Sequence, residues 1–349
     1  MTASLSICIP IYNFAKFIPE TLDSILGQDG GDEVQIVILD GASTDNTAEI
    51  LAGYERKHPN IKYVRQPQKG GIDRDMAKSV EPATGDYCWL FSGDDIMRPG
   101  ALRRALNEIQ SGHDLYLCKH MEYYFYHDSW TEYPTVACED AAVFELSDPR
   151  SRHDYFSKAV NTEAFLSFIG GIIVKRSTWN RVPLNEKFVG SCWGHVARFF
   201  ELMPGGLSIK VLSGALLDRR PDNDSFAGGG MVNRYRIAID GFHNIADHFF
   251  GHDSIEAFHV RRVIRHEFHP LAMQLGKFMC FVNPAGESLA LMDSLMKKVY
   301  SDFSIGNLRA KFAYATMSAE RFRRQQPELS AHHEKQRSPN EKMDERHAG

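Results

Sequence analysis

Tyr87-Cys-Trp-Leu-Phe-Ser-Gly-Asp-Asp-Ile96 begins as an apolar run and ends on two carboxylates. Its first five residues read as a buried strand, which stops abruptly at Ser92-Gly93-Asp94-Asp95. Adjacent carboxylates at the end of an apolar strand are costly unless something positive sits on them. A hard divalent cation is one candidate, because Mg²⁺ binds one or two carboxylates together with substrate phosphates. A plain turn is the other, because Gly-Asp-Asp is good turn chemistry. The stretch alone leaves both readings open.

Upstream, the chain alternates strands and helices. Leu5–Ile9 is a short apolar strand ending at Pro10, and Ile11-Tyr12-Asn13 follows, with Asn13 expected as a helix N-cap. Phe17, Ile18, Leu22, Ile25 and Leu26 then recur at helical spacing up to Gly27. Val34–Leu39 is a second strand and runs into the polar loop Asp40-Gly-Ala-Ser-Thr-Asp-Asn-Thr47. A helix carrying Ile50, Leu51 and Tyr54 leads to a third strand, Ile61–Val64. Gly70-Gly71 opens another helix, through Asp73, Met76, Ala77 and Val80. This alternation implies an α/β fold with a mainly parallel sheet and right-handed crossovers. In such sheets ligands gather at the carboxyl ends of the strands. The loops Pro10–Asn13, Asp40–Asp45 and Gly93–Asp95 should therefore share one edge of the sheet. Neither a Gly-x-Gly-x-x-Gly after the first strand nor a Gly-Lys-Ser/Thr is present.

Downstream, a helix is expected over 101–109, and strands over Asp114–Lys119 and Met121–His127. Residues 129–160 read as irregular. Phe165–Val174 is strongly apolar around Gly170-Gly171, a pattern that marks close backbone approach. Phe188–Leu202 starts as a loop and becomes a helix, with Trp193 and His195 at its beginning. The strand Leu207–Leu217 leads to Asp218-Arg219-Arg220-Pro-Asp-Asn-Asp-Ser225 and the glycines 228–230. From Met231 to about Phe322 the chain reads as a helical C-terminal extension, with Pro270 ending or kinking one helix. Lys311–Arg324 is amphipathic and basic; it either packs on its own domain or lies on an anionic membrane surface. After Gln326 apolar periodicity is lost, and 327–349 reads as a disordered tail.

The chain has 349 residues and a net charge of −5, without the basic footprint of a nucleic-acid binder. Its six cysteines lie far apart with no Cys-x-x-Cys, so they read as reduced core thiols. The start, Met1-Thr-Ala-Ser-Leu5, lacks a signal-peptide pattern, and no apolar run of about 18 residues exists. The expected location is the cytoplasm, with peripheral contact at the inner face of the plasma membrane left open.

Four motifs, in order, resemble inverting GT-A fold glycosyltransferases of family 2. Ser6-Ile-Cys-Ile-Pro-Ile-Tyr-Asn13 is similar to the opening strand and turn of that family. Asp40–Thr47 resembles its Asp-Gly-Ser-Thr-Asp loop, and Gly70-Gly-Ile-Asp73 the segment before the nucleotide-contacting helix. Gly85–Asp95 resembles its Asp-x-Asp metal strand. Tyr87–Phe91 and Gly190-Ser-Cys-Trp-Gly-His195 are similar to the branch that includes abequosyltransferases of bacterial O-antigen synthesis.

The resemblance implies transfer of a sugar from a nucleotide-diphosphate donor to a hydroxyl of a saccharide or polyprenyl-linked acceptor. It implies Mg²⁺ or Mn²⁺ on Asp95, with Asp94 assisting or contacting the donor. Pro10, Tyr12, Asp40 and Asp73 would grip the nucleotide, and Arg74 a phosphate. Arg219, Arg220 and Ser225 would close over the pyrophosphate. Residues 1–112 become the donor half, 113–230 the acceptor half and 231–326 the helical region. On the acceptor side the family carries a carboxylate where this chain has Gly190–Val196. His195 is the expected general base there, Glu163 the alternative, and Trp193 a stacking surface for an acceptor sugar. Two rival readings are a sugar nucleotidyltransferase and a non-catalytic nucleotide-sugar-binding module. The first needs a Gly-rich basic loop where Pro10–Asn13 stands; the second fits poorly with intact Asp40, Asp94 and Asp95.

Overall fold

The computed structural model describes residues 4–124, 129–220, 223, 229–331 and 333. It divides into two units, Met1–Asp224 with His243–Val263, and Ser225–Phe242 with Ile264–Gly349. The sequence places 243–263 with the C-terminal helices, whereas here this segment groups with the sheet.

The first unit is built on a mixed sheet. Its strands are β1 (Leu5–Ile11), β2 (Gln35–Asp40), β3 (Ile61–Arg65), β4 (Tyr87–Leu90), β5 (Ile96–Met97), β6 (Leu115–Tyr124), β7 (Ser129–Glu132), β8 (Val143–Glu145), β9 (Ile172–Lys175) and β10 (Ser208–Asp218). The order is β3-β2-β1-β4-β9-β6-β10-β5, with β7 on β6 and β8 on β10. The expected parallel pairing holds over β3-β2-β1-β4. Beyond it the sheet is mixed: β9 runs antiparallel between β4 and β6, whereas β6 and β10 are parallel. β1 and β4 are buried along their whole length, as continuous apolar runs covered on both faces should be.

Seven helices follow these strands: α1 (Ile18–Leu26), α2 (Thr47–Lys57), α3 (Ile72–Ser79), α4 (Ala101–Glu108), α5 (Pro149–Lys158), α6 (Arg176–Trp179) and α7 (Gly194–Leu202). Residues 129–160, expected to be irregular, contain β7, β8 and α5. The two strands are short and partly solvated, so they carry no apolar run. The start of α5 follows the ordinary signal, with the Asp148 carboxylate accepting from the Ser151 amide at 2.9 Å and Pro149 in the first turn. Asn13 does not cap a helix. It takes a left-handed conformation, φ 59°, and α1 begins only at Ile18.

The second unit is helical. Among the described residues the remaining helices are α8 (Met231–Phe250), α9 (Ile255–Glu267), α10 (Pro270–Val282), α11 (Leu289–Val299), α12 (Ile305–Ala315) and α13 (Ala319–Gln325), of which the 243–263 portion of α8 and α9 belongs to the first unit. Pro270 opens α10 three residues after α9 ends at Glu267, so one helix ends before it as expected. Glu287 accepts the Met231 and Val232 amides at 2.7 and 2.9 Å, satisfying donors that the first turn of α8 leaves open. Phe278 stacks on Phe322 at 4.6 Å within a cluster that includes Met279 and Met317. Residues 327–331 are helical and Leu329 packs on that cluster, so the expected disorder does not begin at 327. Among the described residues, no helix is long and apolar enough to cross a membrane.

Candidate active site

β4 ends where its neighbour β1 turns away. A side chain at Gly93 would place its Cβ 2.6 Å from Ile11 and 2.9 Å from the Phe14 ring, so the close passage requires glycine. Asp94 and Asp95 follow and are nearly buried, at 7% and 3% exposure. β5 then pairs antiparallel with the end of β10, Ile96 opposite Asp218. This register brings the two carboxylates to Arg219 and Arg220.

The Arg220 amide donates to Asp95 Oδ1 at 3.0 Å, and its Nε donates to the Asp94 carbonyl at 2.9 Å. Asn223 Nδ2 donates to Asp94 Oδ2 at 2.7 Å, and Ser92 donates to Asp94 Oδ1. Asp95 Oδ2 is buried without a hydrogen-bond partner. Burial first, and the Asp94 charge second, push Asp95 up to about 7. An orphaned buried carboxylate oxygen beside a second carboxylate fits a divalent cation. No group of three or more His, Cys, Asp or Glu side chains among the described residues is placed to hold a metal. Two carboxylates nevertheless suffice where substrate phosphates complete the shell.

The expected loop convergence is present. The Gly41 amide donates to the Ile11 carbonyl at 2.9 Å. Asn13 donates its amide to Ser43 Oγ, and its side-chain oxygen accepts the Thr44 amide, both at 2.8 Å. Asp40 is fully buried; its oxygens accept from the Ser43 amide and the Tyr63 hydroxyl, both at 2.7 Å. Pro10 is buried at the end of β1, and Lys69 Nζ stands 3.7 Å over the Tyr12 ring.

α3 distributes its polar residues unexpectedly. The Asp73 carboxylate accepts three amides of the 190–194 loop, Gly190 at 2.7 Å, Cys192 at 3.2 Å and Gly194 at 2.8 Å. Arg74 points its guanidinium at Glu186, with two bonds of 2.8 and 2.6 Å on the surface. Asp75, which sequence reasoning missed, is as buried as Asp73, at 5% against 4% exposure. Its oxygens lie 2.5 and 2.4 Å from where side chains on Gly41 and Gly70 would begin, and Oδ1 has no partner. Burial holds its carboxyl above the usual range. The only signal in the sequence is its spacing two residues after Asp73.

Glu163 faces a residue that the sequence did not single out. His120 Nε2 lies 3.0 and 3.1 Å from the Glu163 oxygens, and Nδ1 lies 3.2 Å from the Met121 carbonyl. Burial opposes the charged imidazole, but the Glu163 carboxylate outweighs it and holds His120 above its ordinary value. Arg219 pairs with Glu122 at 3.1 Å. Gly171 allows a close approach, since a Cβ there would meet the Cys118 carbonyl at 2.9 Å. His195 is buried in the first turn of α7 with Nε2 unpartnered. Burial pushes its pKa down to about 4, against Asp73 and the Ser167 and Leu166 backbone. Trp193 is half-buried just before α7, its ring 6.3 Å from that of His195. Ser225 lies outside the described residues.

The site's likeness to known proteins follows the same lines. Over 257 residues the chain is 29% identical to the abequosyltransferase RfbV of Salmonella typhimurium, covering 70% of this chain and 75% of the relative. The fold is similar to that of S. aureus TarS in complex with UDP-GlcNAc, with a TM-score of 0.56, 19% identity and coverage of 85% and 81%. It also resembles the mannosyltransferase PcManGT from Pyrobaculum calidifontis in complex with GDP-Man and Mn²⁺, with a TM-score of 0.52, 17% identity and coverage of 95% and 85%. The model of glycosyl transferase family 2 matches residues 6–181, half of the chain, from the first buried strand to just past α6. The chain is a glycosyltransferase and belongs to glycosyl transferase family 2.

Proposed function

We propose that the chain is a metal-dependent, inverting glycosyltransferase of bacterial surface polysaccharide synthesis, acting in the cytoplasm. It takes a sugar from a nucleotide diphosphate to a hydroxyl of a saccharide or lipid-linked saccharide. The observation that carries this reading is the buried, unpartnered Asp95 Oδ2 beside Asp94, with Arg219 and Arg220 brought to the same strand ends. Asp95, with Asp94 beside it, would hold a divalent cation, which would supply positive charge for the leaving diphosphate. Pro10, Tyr12, Asp40 and Asp75 frame the nucleotide, and Arg219, Arg220 and Ser225 close over its phosphates. Asp73 shapes the site from beneath by holding the 190–194 loop. Similarity to RfbV supports a surface polysaccharide as the product.

Glu163 is the general base in this reading. It is 9% exposed, its two oxygens are held by His120, and it stands on the acceptor side. His195 is buried, at 5% exposure, in the first turn of α7, and burial depresses its pKa to about 4. It therefore fits packing under the acceptor loop, with Trp193 left as the aromatic surface for an acceptor sugar. The decisive measurement is sugar transfer with and without Mg²⁺ or Mn²⁺, in the wild type and Asp95→Ala. Metal-stimulated transfer lost in the variant is expected. Metal-independent transfer, or full activity in the variant, would overturn the reading.

A further inference from the structure

We infer that α12 and the residues just before it form a docking face for an anionic lipid surface. The face belongs to the helical unit and stands independently of the sugar-transfer chemistry.

Four large apolar side chains project into solvent there: Phe303, Ile305, Leu308 and Phe312, at 90%, 71%, 47% and 70% exposure. Three of them recur at three- and four-residue spacing, so they share one side of α12. The opposite side is already committed. Asn307, Ala310 and Tyr314 are buried, Asn307 Nδ2 donates to the Asp302 carbonyl at 2.9 Å, and the Tyr314 hydroxyl donates to Asp293 at 2.7 Å. The helix is thus fixed by its inner side and apolar on its outer side as well. Ordinary surface helices reserve that outer side for polar residues.

Charge identifies the occupant. Residues 297–324 carry seven basic and two acidic side chains, a net +5 in a chain whose total is −5. Arg309 sits beside the apolar stripe, and Lys311 neighbours Phe312. An amphipathic helix with Phe and Leu on one side and Lys or Arg around them lies in the lipid interface, apolar side down. Long basic side chains reach the headgroups while their stems lie along the apolar layer. Local positive charge on a negative chain also orients approach to an anionic surface.

A second copy fits less well. The two phenylalanines together expose on the order of 300 Å², whereas a stable interface buries about 800 Å² per partner. A two-fold contact would also set the same basic segment against itself.

The test is co-sedimentation of the full chain with phosphatidylcholine vesicles, with and without phosphatidylglycerol, at low and high salt. Phe303→Ser/Phe312→Ser and Arg309→Glu/Lys311→Glu are the variants, with circular dichroism and glycosyl transfer to a soluble acceptor as controls. Expected are binding that needs phosphatidylglycerol and weakens with salt, a drop of roughly tenfold in both variants, and unchanged controls. Equal binding by wild type and variants, or none to anionic vesicles, would overturn the inference. Concentration-dependent dimers that vanish in Phe303→Ser/Phe312→Ser without vesicle binding would assign the face to a second copy instead.

Discussion

His120 Nε2 stands 3.0 and 3.1 Å from the two oxygens of Glu163, with the ring fully buried against Tyr133 and Phe168. The packed imidazole orients the carboxylate it holds. Glu163→Gln should lower kcat by on the order of 10²–10⁴-fold while leaving donor affinity nearly unchanged. His120→Asn should cost less, roughly tenfold or more, because the base is still present but poorly aimed. Steady-state kinetics with donor titration by calorimetry separate these effects. Loss of donor binding in Glu163→Gln would place this carboxylate on the donor instead.

Asp95 offers a prediction about stability. Its carboxylate is buried next to Asp94, which disfavours its charge. A group whose folded pKa is raised above its unfolded value, here for an acid, destabilises the fold as pH rises past the unfolded value. Metal-free Asp95→Asn should therefore be more stable than wild type at pH 8, by roughly 1–3 kcal/mol. The same variant should lose the stabilisation that Mn²⁺ with nucleotide diphosphate gives the wild type. Chemical denaturation with and without these ligands reads both effects.

His195 has the opposite signature. Its folded pKa is depressed to about 4, so the unfolded chain binds the proton more tightly between pH 4 and 6.5. The stability associated with its neutral form is complete above about 6.5 and falls as pH drops toward 4. Near pH 5 the loss relative to neutral pH should be about 2 kcal/mol. Urea unfolding of His195→Gln should show a shallower loss over that window. An identical pH profile in the variant would mean that the imidazole is not buried as described.

Asp73 accepts the backbone amides of Gly190, Cys192 and Gly194. Asp73→Ala should destabilise by roughly 1–3 kcal/mol, since it removes the partner of three loop amides, of which that of Gly194 is buried. Asp73→Asn should cost less. Both should impair acceptor KM more than donor KM, which two-substrate kinetics would show. A selective rise in donor KM would return Asp73 to the nucleotide site.

The donor edge was legible because its elements are local. Leu5–Ile9, Val34–Leu39 and Tyr87–Phe91 are apolar runs that end on polar turns, and parallel pairing alone sets those turns side by side. The acceptor side depends on distant contacts instead. His120 looks like any residue of an apolar strand until β9 and the turn at 162–165 bring Glu163 onto it. Asp75 reads as helix surface because its burial comes from Gly41 and Gly70, two glycines far apart in the chain. Asn13 shows the limit of residue preference: the same side chain suits an N-cap and a left-handed turn, and here the amides of the β2 loop decide. β7 is mostly exposed and lacks an apolar alternation, and β8 is too short, at three residues, for its alternation to stand out in the sequence.

The hold of Asp73 on residues 190–194 also bears on how enzymes of this kind can be recombined. The carboxylate stands on α3 and the loop it anchors lies just before α7, more than a hundred residues later. A hybrid joined near residue 112 would therefore inherit a hook from one parent and an eyelet from the other. Exchanges intended to alter acceptor choice should move α3 and the 190–194 loop as one cassette.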